Sequence, residues 1–160
     1  MSFLIHPSAK AYFSTFKGAD NKTPIFKDLF DLYYYCFLLG VSSNERETSL
    51  EGAYEVTKNW PNTYSGSKLP IINLLIFGYL LENGYEVDNK TFANDHLKKL
   101  IDHTNKNDLS DEGYKRMNEF AYNGFEILYK KHPYPSSGGR VLIDITKILK
   151  ENFNKPPWKS

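Results

Sequence analysis

The sequence predicts an all-α protein: a single compact domain of five or six helices around a buried aromatic central helix. Two observations carry that expectation. The stretches 24–40 and 69–81 are apolar on nearly every side, and a helix apolar all round must be surrounded by protein. The stretches 89–103, 110–131 and 140–153 place apolar residues at helical spacing with a charged opposite face, the mark of helices lying on a core.

Taken in order, residues 1–22 open with Phe3, Leu4 and Ile5, an apolar tip, followed by His6-Pro7-Ser8. Ala9, Tyr12, Phe13 and Phe16 then suggest a short helix over 8–17, and 18–22 reads as a turn. Thr23 can cap the central helix, Pro24 suits its first turn, and Gly40 can close it. From 32 to 39 that helix carries no charge, and Tyr33, Tyr34, Tyr35, Cys36 and Phe37 cover its circumference. Residues 42–68 read as a long irregular loop, in which 50–56 allows one or two turns of helix. Trp60 and Tyr64 within it argue for packing against something. The second apolar helix, 69–81, ends at Asn83-Gly84. In the next, Phe92, Leu97, Leu100 and Ile101 are expected to face inward. Ser110-Asp111-Glu112 suits the positive end of the helix over 110–131. Gly124 inside that helix costs about 1 kcal/mol relative to Ala, and a close helix crossing is the usual reason to keep such a residue. The breakers in 132–139 precede a last amphipathic helix, whose β-branched start also permits a short strand, and 154–160 reads as an extended tail.

The 160 residues suit one domain with a real core. Twelve tyrosines and eleven phenylalanines make the core or a partner surface aromatic. The net charge of +1 excludes a strongly one-signed overall field. A single cysteine, Cys36, allows no internal disulfide and fits a reducing compartment. The opening residues lack the pattern of a secretory signal, and the apolar stretches 32–41 and 69–81 are too short to span a bilayer, which takes roughly 20 residues. A cytoplasmic protein without membrane contact is expected.

The chemistry-bearing residues are few. His96 and His103 share a predicted helix but stand about 10 Å apart along it, too far to hold one metal unaided, so they read as surface histidines. Cys36 lies near the C-terminal end of an apolar helix, where burial raises a thiol pKa, so it reads as core rather than nucleophile. Asp28/Asp31 and Asp111/Glu112 sit among basic neighbours and do not form an isolated acid–base pair. No catalytic residue, metal site or cofactor is predicted. Residues 136–140, Ser-Ser-Gly-Gly-Arg, lead into a helix, where N–H groups and Arg140 can meet a phosphate. From 130 onward seven basic residues, Lys130, Lys131, Arg140, Lys147, Lys150, Lys155 and Lys159, face only two acids, Asp144 and Glu151. Such an end can track a nucleic-acid backbone, and it can equally be a solvated helix face. Lys130, Lys131, Arg140, Lys147 and Lys150 are the candidate nucleic-acid contacts. Trp60, Tyr64 and Trp158 are candidate anchors for partner proteins.

The segment 9–41, with its turn followed by IFKDLFDLYYYCFLLGV, resembles small accessory proteins of bacterial DNA phosphorothioation (Dnd) systems. NEFAYNGFEILYK, at 118–130, resembles a second helix of that group. The resemblance implies a small helical subunit of a DNA-modification or phage-defence assembly and supplies no catalytic residue. The function expected is a non-catalytic scaffold binding other protein subunits, with duplex or nicked DNA as a second partner. Four alternatives stand beside it. They are an autonomous DNA-binding protein, a phage-encoded inhibitor of host defence, a self-assembling protein, and an enzyme whose site joins His132 with Asp144 or Tyr134.

Overall fold

The computed structural model of the chain describes residues 1–18, 24–84 and 90–158. Its elements are β1 (Phe3–Ile5), α1 (Ala9–Phe16), α2 (Leu29–Ser43), β2 (Tyr54–Thr57), a 3₁₀ turn (Asn62–Ser67), α3 (Lys68–Glu82), α4 (Lys90–Leu100), α5 (Asp111–Lys131) and α6 (Gly138–Phe153). Among the described residues the fold is all-α apart from one antiparallel β1–β2 pair and an isolated bridge between Ile101 and Leu109. No described helix is long and apolar enough to cross a membrane.

The central helix is α2, and it lies along α5. The two approach so closely that a Cβ built at Gly124 would overlap the Cys36 carbonyl oxygen, and one at Gly40 the Phe120 carbonyl. Gly124 is therefore kept for a helix crossing, as expected. Gly40 is not the stop signal it resembles. The helix runs through it to Ser43 and closes on Asn44, which takes the left-handed conformation with φ 57°. The start also differs from expectation. Asp28 caps α2, accepting from Phe30 and Asp31 N–H at 2.9 and 3.3 Å, while Asp31 accepts from the Asp28 N–H at 3.1 Å. Two side-chain acceptors outcompete a proline signal several residues upstream. The expected Thr23 cap lies outside the described residues.

The apolar tip is a strand, because Phe3 and Ile5 drive into the core while the backbone pairs with β2. The ring of Phe3 lies 4.9 to 5.5 Å from those of Phe30, Tyr33, Trp60 and Tyr114, edge-on or tilted. Segment 50–56 accordingly yields strand rather than helix. A polar clamp holds the same place. Buried Asn118 of α5 accepts from the Leu4 N–H and the Tyr33 hydroxyl, each at 2.9 Å, and donates to the Ser2 carbonyl at 3.0 Å.

A charged network joins the segment after α2 to α3 and α5. Arg46, after α2, lies 2.7 Å from Glu82 of α3 and 2.6 Å from Glu119 of α5. Arg116 lies 3.1 Å from Glu119 and 2.6 Å from Glu112. Glu119 is fully buried, so its charge depends on these two guanidinium groups. Residues 154–158 do not extend into solvent. They turn, and the Trp158 indole N–H donates to the Ser42 carbonyl at 2.7 Å while its ring packs on Phe77 and Phe153. The apolar area of an indole outweighs the proline-rich backbone's preference for extension.

Two predictions follow from this packing. Gly40→Ala and Gly124→Ala should each cost at least about 1–3 kcal/mol in urea unfolding, since backbone rather than a mobile side chain must yield. Gly66→Ala, with nothing near its added methyl, is the control and should stay within roughly 0.5 kcal/mol. The second concerns His6. Its Nδ1 accepts from the Ser8 N–H at 3.1 Å, its ring stacks on Phe125, and burial lowers its pKa from the ordinary value of 6.5. Glu126 stands 4.0 Å away, yet burial remains the cause that sets the direction for His6, and the Glu126 carboxyl is itself raised by burial and Glu47. The unfolded chain binds the His6 proton more readily. Stability from neutral His6 is thus present above about pH 6.5 and lost as the pH falls through the lowered folded value. Urea midpoints should drop between about pH 7 and 5 in the parent and drop less in His6→Asn, whose side-chain oxygen can still accept from Ser8.

Candidate nucleic-acid interface

Helix α6 has two faces of different chemistry. Val141, Ile145 and Ile148 are buried, so one side docks on the core. Arg140, Ile143, Thr146, Lys147 and Lys150 are exposed on the other. Lys147 lies two turns beyond Arg140, about 10 Å along the axis, and Lys150 roughly one turn further. Lys147 and Lys150 have no ion pair among the described residues. Their charge is therefore available to a phosphate in solution. Glu151, an acid of this helix, turns away to meet Lys131 of α5 at 2.9 Å. Lys130 and Lys131 close α5 and are exposed. The expected cationic residues thus gather on α6 and the end of α5, with Lys131 partly neutralised. Lys155 is exposed in the following turn, and Lys159 lies outside the described residues.

Between α5 and α6 the chain turns through 132–137 and leaves a cleft of about 310 Å³. Asp144, 1% exposed, forms its floor. One carboxylate oxygen, Oδ2, lies 3.0 Å from His132 Nδ1 and 3.4 Å from Arg140 Nε. The other, Oδ1, has no hydrogen-bond partner among the described residues. The Tyr12 hydroxyl donates to the His132 carbonyl at 3.0 Å and fixes the turn from α1. Ser137 caps α6, its hydroxyl accepting from the Arg140 N–H at 3.1 Å. That donor is spent on the cap and is not available to a phosphate. Tyr134 stands on the rim and is 91% exposed.

The structure brings His132 to Asp144, a pairing the sequence allowed as the core of an assembled site, and holds Tyr134 outside that pair. Sequence reasoning missed the Arg140–Asp144 contact, although the spacing i, i+4 on one helix is a recognisable signal. It missed the Tyr12 brace, for which no local signal exists.

The other singled-out residues are engaged within the fold. Trp60 is buried, and its indole N–H donates to the Asn107 carbonyl at 3.0 Å. Tyr64 is half-buried and donates to Asp31 at 2.5 Å, while Asp31 and the indole-capped Ser42 mark the two ends of α2. Clefts of about 410 and 380 Å³ flank Trp60; Asp28, Leu29, Phe30 and Val56 are among the residues lining the first, and Asn107 and Lys68, which pairs with Asp108, line the second. His96 is buried against Tyr79 and Phe92 instead of lying on the surface, and Phe92 is the exposed member of that group. His103 is exposed beside Asp108. Cys36 is fully buried, and desolvation pushes its thiol pKa up, away from nucleophilic use. Among the described residues no three His, Cys, Asp or Glu side chains are placed to hold a metal. No protein-family model, no curated protein and no solved structure matches this chain.

Replacing Asp144 tests how the cleft is held. Asp144→Asn removes the charge from a buried position that orients Arg140 and the His132 ring, and should cost about 1.5–3 kcal/mol in urea unfolding near neutral pH. Arg140→Ala, half in solvent, should cost less than about 1 kcal/mol, so the difference reads the buried His132 contact.

Proposed function

We propose that this chain is a non-catalytic accessory subunit of a bacterial DNA-modification or phage-defence assembly, and that it rests on the nucleic-acid backbone through the outer face of α6. The observation that carries the contact is the row of Arg140, Lys147 and Lys150, the two lysines without an ion pair among the described residues, on a helix whose other face is firmly docked. A rigid helix with cations spaced along one face can neutralise several phosphates at once and release their counterions, without any large net charge on the whole molecule. The near-neutral total of +1 is consistent with a local contact rather than a long-range field. The assembly part of the reading draws on the resemblance of segments 9–41 and 118–130.

The test is fluorescence anisotropy of labelled duplex and nicked DNA at two salt concentrations. Lys147→Glu with Lys150→Glu should weaken binding at least about tenfold and reduce the slope of log affinity against log salt by about 2, one for each lost phosphate contact. Unchanged affinity would make this face merely solvated and remove DNA from the proposal. The 3.0 Å contact between His132 and Asp144 supports one further reading, a hydrolase with His132 as base. Phosphodiester cleavage that disappears in His132→Ala would replace the accessory role.

A further inference from the structure

We propose that the cleft between the last turn of α5 and the first turn of α6 binds one unpaired nucleotide of a nucleic-acid strand. Tyr134 stacks on its base, and Arg140 and Lys131 meet its phosphate. This rests on the reading of α6 as a backbone-contacting face and specifies which form of nucleic acid that face serves.

Four observations converge on the cleft. Its volume of about 310 Å³ is at the lower end of the range for small-ligand sites, large enough for a nucleotide and too small for a duplex. Tyr134 is 91% exposed and lies between Pro133 and Pro135. Their fixed φ angles limit the loop's freedom, so the ring is presented with little entropy left to lose on stacking. Any base offers a π-face to such a ring, but a base inside a duplex has both faces covered by its neighbours. The third observation is the pair of cations. Arg140 borders the cleft and begins the row that continues through Lys147 and Lys150, so a strand laid along α6 would deliver its end or a splayed residue to this point.

The fourth observation is Asp144. It is a buried carboxylate with Oδ2 committed to His132 and Arg140, and Oδ1 without a partner among the described residues. Buried acceptors are ordinarily satisfied, and Asp144, which lines the cleft, has one buried oxygen without a partner, an acceptor that suits a donor from a ligand. A base amino group or a sugar hydroxyl is such a donor, whereas a bare phosphate is not. The ligand chemistry is thus mixed: anionic at the Arg140 side, donor-bearing at the Asp144 side, flat at the Tyr134 side. A nucleotide unit combines all three. His132, oriented by Asp144 through Nδ1, keeps Nε2 for a further polar contact.

The experiment is anisotropy with a labelled oligothymidine strand and, in parallel, a fully paired blunt-ended duplex. Three variants of the full chain are compared: Tyr134→Ala, Tyr134→Phe, and Lys147→Glu with Lys150→Glu. Tyr134 is exposed, so neither of its substitutions should disturb folding, and unfolding midpoints check this. Tyr134→Ala should weaken single-strand binding about tenfold and leave the duplex unaffected, while Tyr134→Phe restores parental affinity. The double Lys variant should weaken both. Equal single-strand affinity for Tyr134→Ala and the parent would overturn the cleft proposal while leaving backbone contact standing. Loss in Tyr134→Ala with no loss in the double Lys variant would do the reverse. Absence of binding by the parent to either probe would overturn both.

Discussion

The contact on which the rest of the molecule depends is the one between α2 and α5 at Gly40 and Gly124. Backbone meets backbone there, with no side chain between. Helix axes usually stand 8–10 Å apart, their distance set by interposed side chains, and removing those side chains draws the helices together. Once α2 and α5 lie this close, the aromatic residues around them have a fixed frame to pack on. The α6 helix leans on α2, and the loop joining α5 to α6 starts about two turns beyond the Gly124 crossing. The cleft at 132–144 owes its shape to that placement, with Tyr12 of α1 as a brace.

Polar groups inside the fold are handled in two ways. Asn118 is matched atom by atom to strand β1 and to Tyr33. Glu119 is matched by Arg46 and Arg116, although its Oε1 still lacks a partner. Both sit where elements remote in sequence converge, and each specifies a register that apolar contact alone would leave loose. Asp144 differs in its place. It too is buried with one oxygen unmatched, but its partners His132 and Arg140 line a cleft open to solvent. The same chemistry that closes the core elsewhere is here turned toward a space a ligand can enter.

Much of the fold was legible in the sequence because helical periodicity is local. Helices α1, α3, α5 and α6 begin and end within a few residues of expectation, and Gly124 announced a close crossing. What escaped was set by partners far along the chain. Gly40 has the look of a terminator, and only the position of Phe120 makes it a contact. Phe3 to Ile5 is too short to declare itself a strand, and 54–57 becomes one because those three residues arrive beside it. His96 reads as a surface residue until Tyr79 is placed against it. At the cleft, the cations and the His132–Asp144 pairing were visible as residue types. The exposure of Tyr134 and the unmatched oxygen of Asp144 belong to packing, which no local pattern encodes.

The clamp around Asn118 has a consequence for how the chain comes to be folded in a cell. Strand β1 is made well before its partner, since the amide that receives the Leu4 N–H lies 114 positions later. Domains are synthesised from the N-terminus at roughly 5–20 residues per second, so Phe3 and Ile5 remain without their final burial for several seconds of translation. During that interval a short apolar strand with unpaired backbone is free to join any exposed sheet edge it meets. The early chain is in this sense an unfinished client, and the ribosome-bound stage is where a holding chaperone would find something to grip.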